Sequence, residues 1–208
     1  MVIRKLSLHL WYAMLQTYFN KVLVLNQESR PDRWAQFELE AKRIGLKATR
    51  FLSIPDEQPY LSFCNSQLAM VRSVENEGSV LTLEDDAIFT TFAHFDEAFH
   101  ELPPDWDILY LGANVLKHEP YSKHLRRIIH GWTTHAVAYR NTAIRKIIAD
   151  YKGHDPNGMY DDWLSREVLP VMKAYVIAPM IAWQREGFSD LWNCRTSYGW
   201  MEIEKRLL

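Results

Sequence analysis

Val80-Leu81-Thr82-Leu83 runs directly into Glu84-Asp85-Asp86, so an apolar stretch stops abruptly in three adjacent carboxylates. Side chains of like charge are costly to gather unless a cation neutralises them, and hard oxygen donors suit Mg²⁺ or Mn²⁺. Such ions keep several waters and bridge to phosphates, so the triplet reads as a metal-diphosphate site. Asp86, at the exposed end, is the expected direct ligand. Strand alternation would place Glu84 and Asp86 on one side and Asp85 on the other if the strand persists that far. Glu84 or Asp85 would then accept hydrogen bonds from ligand hydroxyls. A second carboxylate pair, Asp161-Asp162, follows Tyr160 and could supply a base, because adjacent charges raise one pKa; the same residues are also favoured caps at a helix start.

The elements that must position these groups follow from periodicity. Residues 21–26 form an apolar run suited to a strand buried on both faces, followed by a loop with Ser29 or Asp32 to cap a helix over 33–44, which Gly45 ends. Residues 48–54 predict a second strand, stopped by Pro55. Ser62 or Asn65 opens a helix over 67–76 that delivers the chain to the acidic strand. Strand, helix, strand, helix, strand defines an α/β fold with a parallel sheet, and open sheets of this kind bind ligands at the carboxyl ends of their strands. Asn26, Arg30 and Arg33 therefore stand where a nucleotide would lie, Arg offering a permanently charged fork for phosphate. Further on, a helix is expected over 92–102, a strand over 107–112 closed by Gly112, and a loop rich in basic residues and His over 113–130. A strand over 132–139, a helix opened by Asn141 or Thr142, a short helix at 160–164 and a strand over 173–177 follow. Residues 178–198 read as irregular and 201–208 as a terminal helix.

The 208 residues and 48% hydrophobic content fit one globular domain over 21–208, preceded by an amphipathic helical extension over 1–20. Arg4 and Lys5 precede its apolar face, but no small-residue cleavage site follows, so a signal peptide is not expected. That face could touch a membrane surface, although docking on the domain's own body is the commoner outcome. A net charge of -2 gives no reason to expect nucleic acid. Cys64 and Cys194, two and far apart, indicate neither a disulfide framework nor a zinc site and suit a reducing, cytoplasmic setting. His118, His124, His130 and His135 lack metal-ligand spacing. Eight Trp include Trp132, Trp163 and Trp183, which could stack on sugar, with core packing the commoner role for any one of them.

The order of these motifs over residues 21–192 resembles glycosyltransferase family 25, which includes bacterial lipooligosaccharide galactosyltransferases and collagen galactosyltransferase domains. Val22-Leu23-Val24-Leu25-Asn26 with Arg30-Pro31-Asp32-Arg33 is similar to that family's opening strand and Arg-x-x-Arg segment, and residues 80–87 to its strand ending in Glu-Asp-Asp-Ala. Cys64-Asn65-Ser66-Gln67 resembles its Cys-x-x-Ser-His element, 107–112 its Asp-x-x-x-Leu-Gly strand, and 135–139 its Ala-Tyr strand. Tyr160-Asp161-Asp162 resembles the later acidic element, and Gln184 with Ser189-Asp190 the terminal Gln and Ser-Asp. The resemblance implies a GT-A-like fold, a central mostly parallel sheet flanked by helices. It also implies inverting transfer of a hexose, galactose or glucose, from a UDP-sugar to a glycan or lipid-linked saccharide at the inner membrane face, assisted by Mn²⁺ or Mg²⁺. In that setting Asp162 or Asp161 is the catalytic base, and Asn26, Arg30, Arg33, Glu84 and Asp85 contact the nucleotide sugar. Asp86 holds the metal, with a late ligand from Asp190, Asn193, Gln184 or water. Two departures stand out: Gln67 replaces the family's His, and no His follows His154. A metal-dependent phosphohydrolase and a non-catalytic sugar-nucleotide or glycan-binding module are the rival expectations.

Overall fold

The computed structural model describes residues 15–90 and 94–198. In chain order the elements begin with α1 (Leu15–Tyr18), β1 (Lys21–Asn26), α2 (Pro31–Arg43), β2 (Thr49–Leu52), α3 (Pro59–Arg72), β3 (Ser79–Glu84), β4 (Ala87–Phe89) and α4 (Phe95–Glu101). There follow β5 (Ile108–Pro120), β6 (Leu125–Arg140), α5 (Asn141–Asp150), α6 (Tyr160–Trp163) running into a π-helical turn over Leu164–Val168, and β7 (Ala174–Ile177). Three short strands close the described chain: β8 (Ala182–Gln184), β9 (Gly187–Ser189) and β10 (Cys194–Thr196).

Six strands form a mixed sheet in the order β2-β1-β3-β6-β5-β7. β1 is parallel to β2 and β3, β7 is parallel to β5, and β6 is antiparallel to β3, β5 and β7, so every strand but β6 runs the same way. The expected α/β architecture with a mostly parallel sheet is the one observed. Alternation along the strands builds its two faces. Leu23, Leu25, Val80, Ile108, Tyr110, Val137 and Tyr139 point to the side covered by α3, α5 and α6, with Leu68, Val71, Ile144, Ile147 and Leu164. Val22, Val24, Leu81, Leu83, Leu109, Leu111, Ala136 and Ala138 point to the side covered by α1, α2 and α4, with Leu15, Phe37, Ala41, Phe95 and Ala98. Each large apolar side chain buried this way stabilises the fold by about 1.5–3 kcal/mol.

Several expectations are corrected. Residues 113–130 are not a loop: β5 and β6 continue through them as a long antiparallel hairpin, with β7 pairing to both strands. Its outer part has one solvated face, which antiparallel strands tolerate, so the basic and His residues do not signal a loop. Residues 178–198 are likewise ordered into β8, β9 and β10. Neither Ser29 nor Asp32 caps α2; Pro31 opens it, and Asp32 is held by the Arg30 guanidinium. α3 starts at Pro59, earlier than expected, with proline in its first turn, and the Ser62 hydroxyl is spent on the Ile54 carbonyl rather than on a cap. Of the expected N-terminal helix, residues 1–14 lie outside the described residues. The turn that is described docks on the body, with Leu15 and Phe19 buried and Tyr18 edge-on to Phe95 at 5.4 Å. The expected terminal helix at 201–208 also lies outside them. Among the described residues no helix is long and apolar enough to cross a membrane.

Close approach of β5 to the β8 segment brings the late residues over the strand ends. The Leu111 carbonyl accepts the Ile181 N–H at 2.9 Å, and a Cβ on Gly112 would lie 2.0 Å from the Ala182 carbonyl oxygen and 2.7 Å from His135 Nε2. The Ala182 backbone on one side and the fully buried His135 ring on the other cannot yield cheaply. Gly112→Ala is therefore expected to destabilise by about 3 kcal/mol, at the upper end for overpacking, and chemical denaturation measures it directly.

Candidate active site

The parallel register of β1 on β3 sets Leu25 beside Glu84, so the carboxyl ends of both strands open into one cleft of about 750 Å³. Asn26, Arg30, Arg33, Glu84, Asp85, Asp86, Asp161, Asp162 and Asp190, all nominated from the sequence, line it; of the alternative late ligands Gln184 lines it and Asn193 does not. The switch from β1 to β3 is where an open α/β sheet leaves a crevice, because connections leave in opposite directions.

Strand β3 ends at Glu84, and Asp85-Asp86 form the turn into β4. The expected alternation of Glu84 and Asp86 against Asp85 therefore does not hold; each carboxylate finds its own partners. Glu84 accepts from the Thr134 hydroxyl at 2.8 Å, and Gln67 Nε2 donates to that same hydroxyl oxygen at 3.2 Å. Gln67 thus works here as a buried brace for Thr134. Asp85 accepts from Asn26 Nδ2 at 2.5 Å and pairs with Arg33, whose guanidinium also reaches Asp86 Oδ2 at 2.9 Å. Asp86 Oδ1 is buried without a hydrogen-bond partner. Three carboxylates thus share the one guanidinium paired with them, that of Arg33, with Arg185 acting on Asp86 through its charge alone. Burial, reinforced by the charge of Asp86, pushes Glu84 up to about 8, while burial pushes Asp85 up to about 6 against the pull of Arg33. Asp86 is raised too, by burial and despite Arg33.

Asn26 lines the cleft, but its polar atoms are taken up by the protein. Its amide donates to Asp85 and to the Arg30 carbonyl, and its oxygen accepts twice from Arg50, which stacks over Trp34 at 5.1 Å. That places it as a support for Asp85. Arg30 bridges Asp32, at 2.9 Å, and Asp190 in the turn joining β9 to β10. Asp190 is thereby held by a cation of the protein. Among the described residues, no three His, Cys, Asp or Glu converge as a metal-ligand group. Asp86 and Asp190, the pair expected to hold the metal, both line the cleft, Asp86 on the Arg33 side and Asp190 tied to Arg30.

Across the cleft, α6 presents the second pair. Asp161 Oδ2 accepts the Thr133 N–H at 2.9 Å and Oδ1 the Asp162 N–H at 3.1 Å; burial raises its pKa. Asp162 Oδ2 accepts the Met159 N–H at 2.9 Å, capping the helix, and its Oδ1 carries no hydrogen bond from the described residues. Trp163 and Trp183 are core residues, whereas Trp132 stands on the cleft. Residues that sequence reasoning left out of the site also line it: Asn114, Thr133, Thr134, Trp192 and Tyr198; Gln184, one of the alternative late ligands, lines it too. Gln184 pairs with Ala87 across β4 and β8, and its Oε1 is a second buried oxygen without a partner. Its place in the late Gln and Ser-Asp motif was the available signal; for Thr133 and Thr134 the sequence carries none.

An α/β sheet with one reversed strand, helices on both faces and an acidic turn at the strand ends is a GT-A-like fold, shared by nucleotide-diphospho-sugar transferases. No protein-family model matches the chain, and no curated protein is similar to it in sequence. Among solved structures, it superimposes with a TM-score of 0.52 and 12% identity on a glycosyltransferase involved in the glycosylation of the major capsid of PBCV-1, covering 90% of this chain and 100% of that one. A197 from STIV gives a TM-score of 0.50 at 12% identity over 80% of this chain and 86% of that one. At such identity the likeness is one of fold.

Proposed function

We propose that the protein is a metal-dependent glycosyltransferase that moves a hexose from a UDP-sugar to a hydroxyl of a glycan or lipid-linked saccharide, with inversion. The observation that carries this reading is the surplus of buried negative charge at the end of β3, where Asp86 Oδ1 and Gln184 Oε1 are both buried and unpartnered. Two hard oxygens with no protein donor fit Mg²⁺ or Mn²⁺, which bind through one or two protein ligands and take the remainder from phosphates and water. Asp86, with Gln184, would hold the ion, and the late His of other GT-A enzymes is not needed for that. The ion supplies Lewis-acid stabilisation of charge developing on the diphosphate leaving group.

The chain's own residues do the remainder. A diphosphate entering the cleft competes with Asp32 and Asp190 for Arg30 and gains a charged fork. Glu84, with its proton held up to about 8, can donate to a sugar hydroxyl near neutral pH as well as accept. Asp162, whose Oδ1 is uncommitted, takes the proton of the acceptor hydroxyl as that oxygen attacks the anomeric carbon and the nucleoside diphosphate departs. The resemblance to family 25 supports galactose as the transferred sugar and the cytoplasmic membrane face as the place of work.

A thermal-shift panel of UDP-, GDP-, CMP- and TDP-sugars with and without Mn²⁺ tests the reading. A UDP-sugar at a hundred times its Kd adds about 2.7 kcal/mol, so the melting midpoint is expected to rise by about 5–10 °C, and only with the cation. Mn²⁺-dependent phosphate release without nucleotide-sugar binding would identify a phosphohydrolase, and UDP binding with no turnover on any acceptor a binding module.

A further inference from the structure

Between β5 and β6 the register breaks at the cleft. Gly112 pairs with Ala136 and Asn114 with Trp132, so β6 covers with three residues an interval that β5 covers with one. The first residue of that bulge, Thr133, has φ 72, a left-handed conformation that a β-branched residue adopts at a cost of about 1–3 kcal/mol. Two contacts hold it there. Its N–H donates to Asp161 Oδ2 at 2.9 Å, and its hydroxyl oxygen accepts the Asn114 N–H at 3.3 Å. Bulges re-aim side chains, and this one leaves Trp132 38% exposed on the cleft while Thr134 turns back to Glu84. His130 packs edge-on to the Trp132 ring at 6.0 Å and is itself tied to Ser165. From the β9–β10 turn, Trp192, 63% exposed, lines the same cleft.

An indole face next to Asn114, Asp161 and Asp162 combines an apolar platform with hydrogen-bonding groups at its edge. A pyranose ring has the matching chemistry, a C–H face and a rim of hydroxyls. We propose that Trp132 is the platform of the saccharide acceptor subsite, and that Asp161 is a positioning residue that holds this platform in place through the strained Thr133. The assignment rests on the glycosyl-transfer reading above and deepens it, separating the roles of the two adjacent carboxylates: Asp162 faces the acceptor hydroxyl, and Asp161 shapes the wall.

The test uses the full chain with UDP and Mn²⁺ present, probed on an array of immobilised saccharides, with the UDP-dependent thermal shift measured in parallel. Wild type is expected to bind a subset of saccharides. Trp132→Ala should weaken that binding by about tenfold or more and Trp132→Phe by only a few-fold, each keeping the UDP shift. Asp161→Asn keeps one oxygen to accept the Thr133 N–H, giving up only the longer bond from the Asp162 N–H, and should bind saccharide within a few-fold of wild type, whereas Asp161→Ala should lose it. Wild type binding no saccharide, Trp132→Ala binding as wild type does, or Asp161→Asn failing along with Asp161→Ala would each overturn the proposal. Saccharide binding that depends on Trp132 but without any UDP shift would retain the subsite and remove the donor reading, so the two failures are distinct.

Discussion

Asp86→Ala is expected to abolish the Mn²⁺-dependent stabilisation by UDP and to lower donor turnover by about 10²–10³-fold, the usual effect of removing one group that stabilises developing charge. The same change should leave the melting midpoint of the ligand-free protein no lower than that of wild type. Asp86 Oδ2 shares Arg33 with Asp85, and Asp86 Oδ1 has no partner, so the native state carries one buried carboxylate more than its guanidinium neutralises. Removing it leaves Arg33 paired with Asp85 and relieves the charge that adds to burial in pushing Glu84 up. Loss of ligand response without loss of stability is the signature of a site residue. A mutant that still shows the full UDP and Mn²⁺ shift would remove Asp86 from the site.

Arg33→Met should do the opposite. It strands Asp85 and Asp86 in a buried corner without a paired cation, which costs about 3–5 kcal/mol, or about 10 °C in melting midpoint. Millimolar Mn²⁺ or Mg²⁺ should restore part of that loss, because a divalent ion can stand in for the guanidinium charge. Lower pH should restore part as well. Glu84 has its folded pKa near 8 against an ordinary 4.5, and Asp85 near 6 against 3.8, so in those windows the native state holds protons that the unfolded chain has released. Stability attributable to these groups is therefore full at the acid end of each window and declines as pH rises toward 8 and 6 respectively. Without Arg33, which opposes the rise at Asp85, that decline should steepen. Melting midpoints of wild type and mutant between pH 5 and 8.5, with and without the cation, measure it; a parallel offset at every pH, indifferent to the ion, would show that Arg33 serves packing alone.

The acidic corner was legible in the sequence because its signal is local. A buried strand that ends in three carboxylates needs no distant residue to be recognised, and the apolar runs at 21–26 and 80–83 place it beside β1 by parallel pairing. The α/β order was legible for the same reason, since runs suited to two-sided burial alternate with amphipathic helices. The two ends of the hairpin, at 107–112 and 132–139, were legible as strands, but its outer part over 113–130 was not, because polar residues on its solvated face hide the period that would mark it as strand. Asn26 was nominated by position alone, and only its contacts with Asp85 and Arg50 show that its polar atoms are already spent.

From the chain alone came the composition of the site: which carboxylates and guanidiniums stand at the strand ends, and hence the proposal of a cation and a phosphate there. Tertiary structure determined how those groups divide their labour. Arg33 neutralises carboxylates, Arg30 ties Asp190 to α2, Gln67 braces Thr134, and a left-handed Thr133 turns Trp132 onto the cleft. The physical reason is range. Charge and hydrophobic period are properties of neighbouring residues, whereas a hydrogen bond or a bulge depends on segments up to 160 positions apart, as between Arg30 and Asp190, meeting at distances that only the packed sheet sets.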